Sequence, residues 1–458
     1  LVPITFFMDP LPAIAAIVAC SAMAITAGDI PGALLRIPGT PASAAYTDES
    51  YAMTRSGQAE LALGSSLIAS VCGGLFGAIV LMLAAPALAR VALRFSSFEY
   101  FWLALLGLSC AALVSAEDRL RGVAALLLGL FVSTIGLDTM SGLPRFTFGS
   151  VELMGGVSFI PAMIGMFAVS EVLRTVLRAR SWQPPERPLG NPLKGVGGVL
   201  WRYRASLGRG SVTGTLIGVL PGAGGDIAAW ISYALAKRFS KTPERFGKGH
   251  PEGLVEAGAA NNSGLSGAWV PALVFGIPGD AITAIAIGVL YMKGLNPGPR
   301  LFVDQAPMLY AVFLCFILAN LLLLPLGFLA IRLARFVLAV PRPQLAVVIL
   351  TFCVVGSFAI NNTVFGILIM LVMGVLAFVL ESCRFPIAPV ILGIVMGPLV
   401  EQNFMTSMII ADGNLLAFFS RPVAAALGAV TLLVWLVPLL ATLVRRLRLR
   451  ARPGGARA

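Results

Sequence analysis

The chain has 458 residues, of which 58% are hydrophobic and only 12% are charged, and its mean hydropathy is +0.91. This composition excludes an ordinary soluble domain and is typical of a polytopic membrane protein. The net charge of +12 does not indicate nucleic-acid binding, because the basic residues cluster between apolar stretches, as the positive-inside rule describes.

Apolar stretches of membrane-spanning length, about 20 residues each, predict an all-α polytopic membrane protein with roughly ten to twelve crossings. In chain order, the predicted full spans are 59–89, 98–116, 122–138, 151–173, 306–331, 344–360, 363–380, 386–400 and 422–444. Shorter or broken stretches lie at 11–28, 30–47, 211–236 and 264–292.

Two Pro-Gly breaks interrupt apolar stretches in the second half, Leu220-Pro221-Gly222-Ala223-Gly224-Gly225 and Gly276-Ile277-Pro278-Gly279-Asp280. A bilayer core offers no water to unpaired backbone groups, so a helix is broken there only where protein or a wet cavity satisfies them. In carriers such helix ends hold anions and coupling ions, because N-terminal dipole ends attract negative charge and freed carbonyls attract cations. We therefore expect the two breaks to form the walls of a solute site.

The basic loops fix the sidedness of the first of these breaks. Residues 174–209 hold eight basic residues against one acid, and residues 237–248 hold five against one. Both loops are predicted to be cytoplasmic, as is the tail from Arg445 with its six arginines. The segment 211–236 then enters and leaves by one face, which favours a re-entrant hairpin with arms of roughly 15 Å over one broken helix that crosses fully.

An internal repeat is indicated by an offset of 240 residues. It superimposes Ile30-Pro31-Gly32-Ala33-Leu34 on Val270-Pro271-Ala272-Leu273-Val274, and Ile37-Pro38-Gly39 on Ile277-Pro278-Gly279. The predicted organisation is a first transmembrane repeat at 1–173, a basic cytoplasmic loop at 174–210, a second repeat at 211–444 and a basic cytoplasmic tail at 445–458. Parallel and inverted arrangements both remain open, and we favour the inverted one. The counterpart of Pro221-Gly222 falls upstream of Leu1, so we expect either a truncated N-terminus or a lost element, and we favour truncation.

Polar residues near the second-half breaks are the first candidates for binding. Pro221, Gly222, Gly224, Pro278 and Gly279 allow close backbone approach and are predicted to contact substrate. The glycine-rich loop matches neither nucleotide-binding pattern.

Four polar side chains accompany these breaks. Asp226 and Asp280 either cap the helices that follow or bind the coupling ion. Asn261 and Asn262 offer uncharged amides suited to a substrate carboxylate or a cation, and we predict a binding role for both.

The first half carries its own break, which places Pro38, Gly39 and Thr40 at the predicted substrate site. Arg36 precedes it and could pair with a substrate carboxylate or extend to the membrane interface. No metal site and no cofactor is predicted, apart from a proton or sodium ion as coupling ion. Trp102, Trp201 and Trp435 are expected to be interfacial anchors.

Motifs spread over nearly the whole chain carry a family resemblance. They are Gly218 to Gly224, Ser240 to Gly249, Asn261-Asn262, Gly276 to Gly279 and Gly294 to Pro299 in the second half, and Ile37 to Pro41, Gly57-Gln58, Glu99-Tyr100, Gly136 to Asp138 and Arg145 to Gly149 in the first. In order and spacing they resemble the large membrane subunit of the tripartite tricarboxylate transporters, the TctA family.

The resemblance implies a permease subunit in the bacterial inner membrane that imports tricarboxylates or related carboxylates from a periplasmic solute-binding protein. It also implies a small four-span membrane subunit as partner and a proton or sodium gradient as driving force. The chain departs from the family at Glu49-Ser50-Tyr51-Ala52, where the family tends to have Asp-Gly-Tyr-Pro, and at Arg36, where asparagine is frequent. Both departures bear on the substrate.

Two other functions compete with transport by a carrier. A membrane-embedded enzyme needs a nucleophile and a base within the spans, and the single histidine, His250, lies in a basic loop, although an aspartyl pair would suffice. A channel needs neither a binding protein nor a gradient, so uptake that saturates and collapses with an uncoupler would exclude it.

Overall fold

In a computed structural model, residues 2–36, 38–114, 119–138, 140–177, 190–220, 224–338 and 342–450 are described, and they form an almost wholly helical protein. The helices of the first half are α1 (Val2–Thr5), α2 (Pro10–Leu35), α3 (Thr47–Arg55), α4 (Ala59–Ala92), α5 (Ser97–Val114), α6 (Arg119–Ser133), α7 (Phe159–Ile164) and α8 (Ser170–Leu177). A π-helical turn, Gly165–Val169, joins the last two, and a minimal hairpin pairs β1 (Gly136–Leu137) with β2 (Pro144–Arg145).

The central and second-half helices are α9 (Val196–Arg202), α10 (Arg204–Gly218), α11 (Gly224–Phe239), α12 (Pro251–Phe275), α13 (Ala281–Met292), α14 (Leu301–Asp304), α15 (Ala306–Leu338), α16 (Arg342–Asn361), α17 (Val364–Ser382), α18 (Ile387–Ile410) and α19 (Pro422–Arg450). Short 3₁₀ turns lie at Ser43–Ala45, Glu152–Gly155, Pro243–Arg245 and Leu415–Phe419.

Five helices in the described part of the chain are long and apolar enough to cross a membrane: Pro10–Leu35, Ala59–Ala92, Ala306–Ala334, Val364–Ser382 and Ile387–Ile410. Shorter apolar helices accompany them, and sheet is almost absent from the described residues. The protein is therefore an all-α membrane protein, as its composition predicts.

The predicted boundary between 11–28 and 30–47 is not a helix boundary, because α2 runs continuously to Leu35. It ends at Arg36 in a left-handed conformation with φ of 57°. α12 ends in the same manner at Gly276, with φ of 68°, which lies 240 positions further along the chain. In both caps the backbone N–H of the cap residue donates back to the last turn of its helix, which satisfies carbonyls that a helix end leaves unpaired.

Helices α10 and α11 form a hairpin against α12. α10 runs parallel to α12 and α11 runs antiparallel to it, so the two arms are antiparallel to each other. These orientations follow from the pairs Gly210 with Glu256, Gly218 with Gly264, Gly225 with Asn261 and Gly253 with Tyr233. The contacts fit the hairpin alternative, although its arms, of 15 and 16 residues, are longer than the stretch 211–236 indicated.

The centre of the fold exchanges helices between the two halves of the chain. α12 packs on α4, while α2 packs on α15. α4 and α15 also contact each other and run antiparallel, since Leu67 lies against Gly327 and Gly74 lies against Asn320. Small residues allow α4 and α12 to approach closely: a Cβ on Gly73 of α4 would lie only 2.1 Å from the carbonyl oxygen of Ala259 in α12.

The interfacial role expected of Trp102 is wrong. Its ring is buried, and its indole N–H donates to the Phe418 carbonyl oxygen over 2.9 Å. Trp201, by contrast, is 72% exposed. The sequence around each ring does not predict this difference, because Trp102 is buried by segments more than 300 residues further along the chain, the region of Phe418 and α19.

Candidate functional site

The two second-half breaks meet in the fold. Gly224 begins α11 with φ of +55°, and a Cβ added there would lie 2.7 Å from the Cβ of Asp280. Pro221 and Gly222 lie outside the described residues. Pro278 and Gly279 lie just before Asp280, and a Cβ on Gly279 would lie 2.7 Å from the Cβ of Ala268. The backbone at this junction is therefore packed too closely for larger residues.

Asp280 caps α13. Its Oδ1 accepts from the backbone N–H of Thr283 over 2.8 Å, and the backbone N–H of Asp280 donates to Oγ1 of Thr283 over 2.9 Å. This reciprocal pair is a capping box, with threonine in place of the usual glutamate. Of the two roles open to Asp280, the geometry supports capping.

Asp226 makes a different contact. It lies in the first turn of α11, where a carboxylate suits the helix dipole, and its Oδ1 accepts from the backbone N–H of Ala42 over 3.2 Å. Four residues further on, the indole N–H of Trp230 donates to the Pro41 carbonyl oxygen. Asp226 thus links the hairpin to the first-half break instead of capping its own helix.

The first-half break is a compact turn stabilised from within. The backbone N–H of Gly39 donates to the Gly28 carbonyl oxygen over 3.1 Å, and a Cβ on Gly39 would lie 2.5 Å from the Gly28 Cα. Thr40 and Ser43 exchange backbone-to-hydroxyl hydrogen bonds of 3.1 Å in both directions. Pro38 and Gly39 themselves are exposed.

Arg36 pairs with a residue of its own chain. Its Nε lies 2.9 Å from Oδ1 of Asp48, and the two side chains are 62% and 63% exposed. A substrate carboxylate at Arg36 would have to compete with Asp48.

The paired asparagines point to different neighbours. Asn261 donates from Nδ2 to the Tyr46 hydroxyl over 3.2 Å, beside the first-half break. Asn262 donates from Nδ2 to the Ser70 carbonyl oxygen and to Oδ1 of Asn320. Oδ1 of Asn262 is buried without a hydrogen-bond partner among the described residues. Asn261 therefore faces the break region, and Asn262 faces the contact between α12, α4 and α15.

A buried carboxylate missed by the sequence analysis lies beside Asn261. Asp29 of α2 is 5% exposed and accepts from the Tyr46 hydroxyl over 2.7 Å and from the Ser66 hydroxyl over 2.5 Å. A charged residue in the middle of an apolar helix was the available signal, since burial of a carboxylate at that depth is costly unless it is used.

Glu49 is the second buried carboxylate whose role the sequence analysis missed. Its side chain is fully buried, and it accepts from the Tyr233 hydroxyl over 2.8 Å. It also accepts from three backbone N–H groups, those of Gly247, Gly249 and His250. Glu49 therefore attaches α3, which follows the first break, to the loop that precedes α12.

Fold and site together define a polytopic α-helical membrane protein with a polar centre built from interrupted helices: the α10–α11 hairpin contacts the first break through Asp226 and the α12–α13 break through Gly224. Asp226, Gly224, Asp280 and Asn261 take part in that centre, while Arg36 and Asn262 face elsewhere.

The chain belongs to the tripartite tricarboxylate transporter TctA family, which it matches over residues 1–392. It is 33% identical, over 96% of its length and 88% of the relative, to an uncharacterized 52.8 kDa protein in the TAR-I ttuC' 3' region of Agrobacterium vitis. It is 35% identical, over 49% of its length and 94% of the relative, to an uncharacterized protein in the TAR-II ttuC' 3' region of the same organism. No solved structure matches. The family resemblance noted from the motifs is confirmed, and the chain is a member of a transporter family.

Proposed function

We propose that this chain is the permease subunit of a binding-protein-dependent secondary transporter that imports tricarboxylates or related carboxylates. Family membership supports carboxylate transport by a multisubunit system. The observation that carries the mechanism is the hydrogen bond from Ala42 N–H to Asp226, because it joins breaks from the two halves of the chain at one place. A periplasmic solute-binding protein and a small four-span membrane subunit are the proposed partners.

The substrate carboxylates would lie between the N-termini of α11 and α13. Both helices begin at the junction of Gly224 with Asp280, and helix N-termini attract anions. Asn261 adds an amide from α12, and the turn at Pro38, Gly39 and Thr40 closes the site from the first half. Pro221 and Gly222, which precede α11 in the sequence, stay proposed substrate-contact residues.

Alternating access would use an inverted two-fold relation between the halves. Two observations support it: the left-handed caps at Arg36 and Gly276 are 240 positions apart, and the corresponding helices α4 and α15 run antiparallel. Antiparallel counterparts are what a two-fold axis in the membrane plane produces.

A proton or sodium gradient would drive uptake, with a carboxylate as the coupling group. Asp226 is better placed than Asp280, because Oδ1 of Asp280 is occupied by its cap. Asp29 joins them as a third choice, since it is buried with hydroxyl partners only among the described residues. We place the protein in the bacterial inner membrane with its central loop and C-terminus in the cytoplasm, because both are basic.

The test is uptake of radiolabelled citrate and a panel of di- and tricarboxylates by cells that also produce the binding protein and the small subunit. Asn261→Ala should lower uptake roughly tenfold or more at equal membrane levels, as expected for loss of a hydrogen bond to a charged ligand. Asn414→Ala, an exposed asparagine outside the site, is the matched control. Normal uptake by Asn261→Ala would refute the site, and uptake that persists after both the proton and the sodium gradients are dissipated would indicate a channel.

A further inference from the structure

A basic cleft lies on the loop side of the protein, away from the junction of the breaks. It has a volume of about 770 Å³. The α9 segment with Gln58 forms one side, and the loop from Arg245 to Pro251 forms the other. We call this space the α9 cleft; its basic residues are Arg202, Arg245 and Lys248.

The positive charge of the α9 cleft is not neutralised by the described residues around it. No acidic residue lines it, and its three basic side chains form no ion pair within the described part of the chain. The two carboxylates that act on His250 in the cleft wall are committed to other partners: Glu49 accepts backbone N–H groups, and Glu252 accepts from the hydroxyls of Ser206 and Ser240.

His250 lies in the wall of the α9 cleft together with Arg202 and Arg245. Burial lowers its pKa from the usual 6.5; Glu252 and Glu49 oppose this shift, and Arg245 and Arg202, with smaller effects, add to it. The ring hydrogen-bonds Thr242 through Nε2 and accepts from the Glu252 backbone N–H through Nδ1, which fits a neutral imidazole.

An exposed tryptophan beside the α9 cleft indicates that the cleft lies at the membrane interface, and a glycine in its wall leaves room for a ligand. Trp201, beside Arg202, is 72% exposed, and the Arg204 guanidinium stacks on its ring at 4.8 Å. Exposed tryptophan with arginine is typical of the headgroup region. A Cβ added at Gly198, in the cleft wall, would meet nothing within 4 Å, so the wall is open to a ligand.

We propose that the α9 cleft binds the phosphate headgroup of an anionic phospholipid. Guanidinium groups bind phosphate through paired hydrogen bonds, and basic pockets between membrane helices on the cytoplasmic side take such headgroups. Free phosphate offers the same chemistry, but the exposed Trp201 favours a ligand anchored in the bilayer.

The experiment uses the purified full-length chain in a neutral detergent and titrates it with dioleoyl phosphatidylglycerol, dioleoyl phosphatidylcholine or inorganic phosphate. Binding is followed by native mass spectrometry and by the midpoint of thermal unfolding. Phosphatidylglycerol should bind and raise the midpoint, and phosphatidylcholine and phosphate should do neither. No substrate or transport partner is needed, so the result is independent of the proposed function.

Two variants disable the α9 cleft in different ways. R202Q/R245Q/K248Q should bind phosphatidylglycerol roughly a hundredfold more weakly, given about one kcal/mol for each basic residue. Gly198→Trp should weaken it through bulk alone, with the charges intact. K237Q/R238Q/K241Q removes the same charge from exposed positions outside the cleft and should bind as the unaltered protein does.

Equal binding by the unaltered protein and R202Q/R245Q/K248Q would overturn the proposal. Equal weakening in K237Q/R238Q/K241Q would also overturn it, because attraction would then come from diffuse charge. If inorganic phosphate binds as tightly as phosphatidylglycerol and displaces it, the ligand is a soluble phosphate and the lipid assignment is wrong.

Discussion

Glu49→Gln is expected to loosen the connection between the first break and the loop before α12. The carboxylate is fully buried and accepts four hydrogen bonds, from the Tyr233 hydroxyl and three backbone N–H groups. Glutamine has the same size, but its NH₂ group cannot accept. Two of the four donors then face another donor, and the other two lose the charge on their acceptor.

The magnitude follows from those counts. A buried donor left unsatisfied costs about 1 to 3 kcal/mol, and a bond to a charged group is worth up to about twice a neutral one. We expect Glu49→Gln to lower the free energy of unfolding by about 3 kcal/mol. For a chain of this size, that corresponds to a fall of about 3 °C in the unfolding midpoint.

The neighbouring residue supplies the control. Asp48 is 63% exposed, and its ion pair with Arg36 is a surface pair, worth about 0 to 1 kcal/mol. Asp48→Asn should therefore change the midpoint by no more than about 1 °C. Both variants remove one negative charge from the same helix.

The assay is thermal unfolding in detergent together with limited trypsin digestion. Lys241, Arg245 and Lys248 lie in the loop that Glu49 holds, so Glu49→Gln should speed cleavage there before the rest of the chain is cut. If Glu49→Gln and Asp48→Asn shift the midpoint equally and leave cleavage unchanged, the structural role assigned to Glu49 is refuted.

Three further outcomes are expected. Gly39→Ala should lower the unfolding midpoint by an amount equivalent to about 1 to 3 kcal/mol, because the added Cβ would lie 2.5 Å from Gly28 Cα. Gly197→Ala is the control and should not lower the midpoint, because a Cβ at Gly197 would point into open space. Equal midpoints for the two variants would contradict this packing. Asp226→Asn should retain exchange of labelled for unlabelled substrate across vesicles but lose gradient-driven accumulation; loss of both would make Asp226 structural. The pKa of His250 is lower in the folded than in the unfolded chain, so the unfolded chain binds more protons and stability falls as the pH drops through about 6.5. His250→Gln should flatten this pH dependence when unfolding midpoints are measured between about pH 8 and about pH 5. An unchanged pH dependence would exclude His250 as its source.

Local chemistry accounts for the parts of the site that sequence could predict. The capping box of Asp280 with Thr283 depends on residues three apart, and the Pro-Gly breaks depend on neighbours in the chain. The helix ends at Arg36 and Gly276 likewise follow from nearby residues, although α2 passes through the boundary predicted at residue 29.

Sequence by itself determined that this is an all-α membrane protein with interrupted helices, because hydropathy and proline placement act within a single segment. Only the tertiary structure decided that Asp226 contacts Ala42, that Glu49 holds the loop around Gly249, and that Asp29 lies buried against Tyr46. The first two contacts join residues about 200 positions apart, and they arise because small residues let α4, α12 and the hairpin pack at backbone distance. Which helices meet in this way is set by the summed packing of the whole fold, which no single segment encodes.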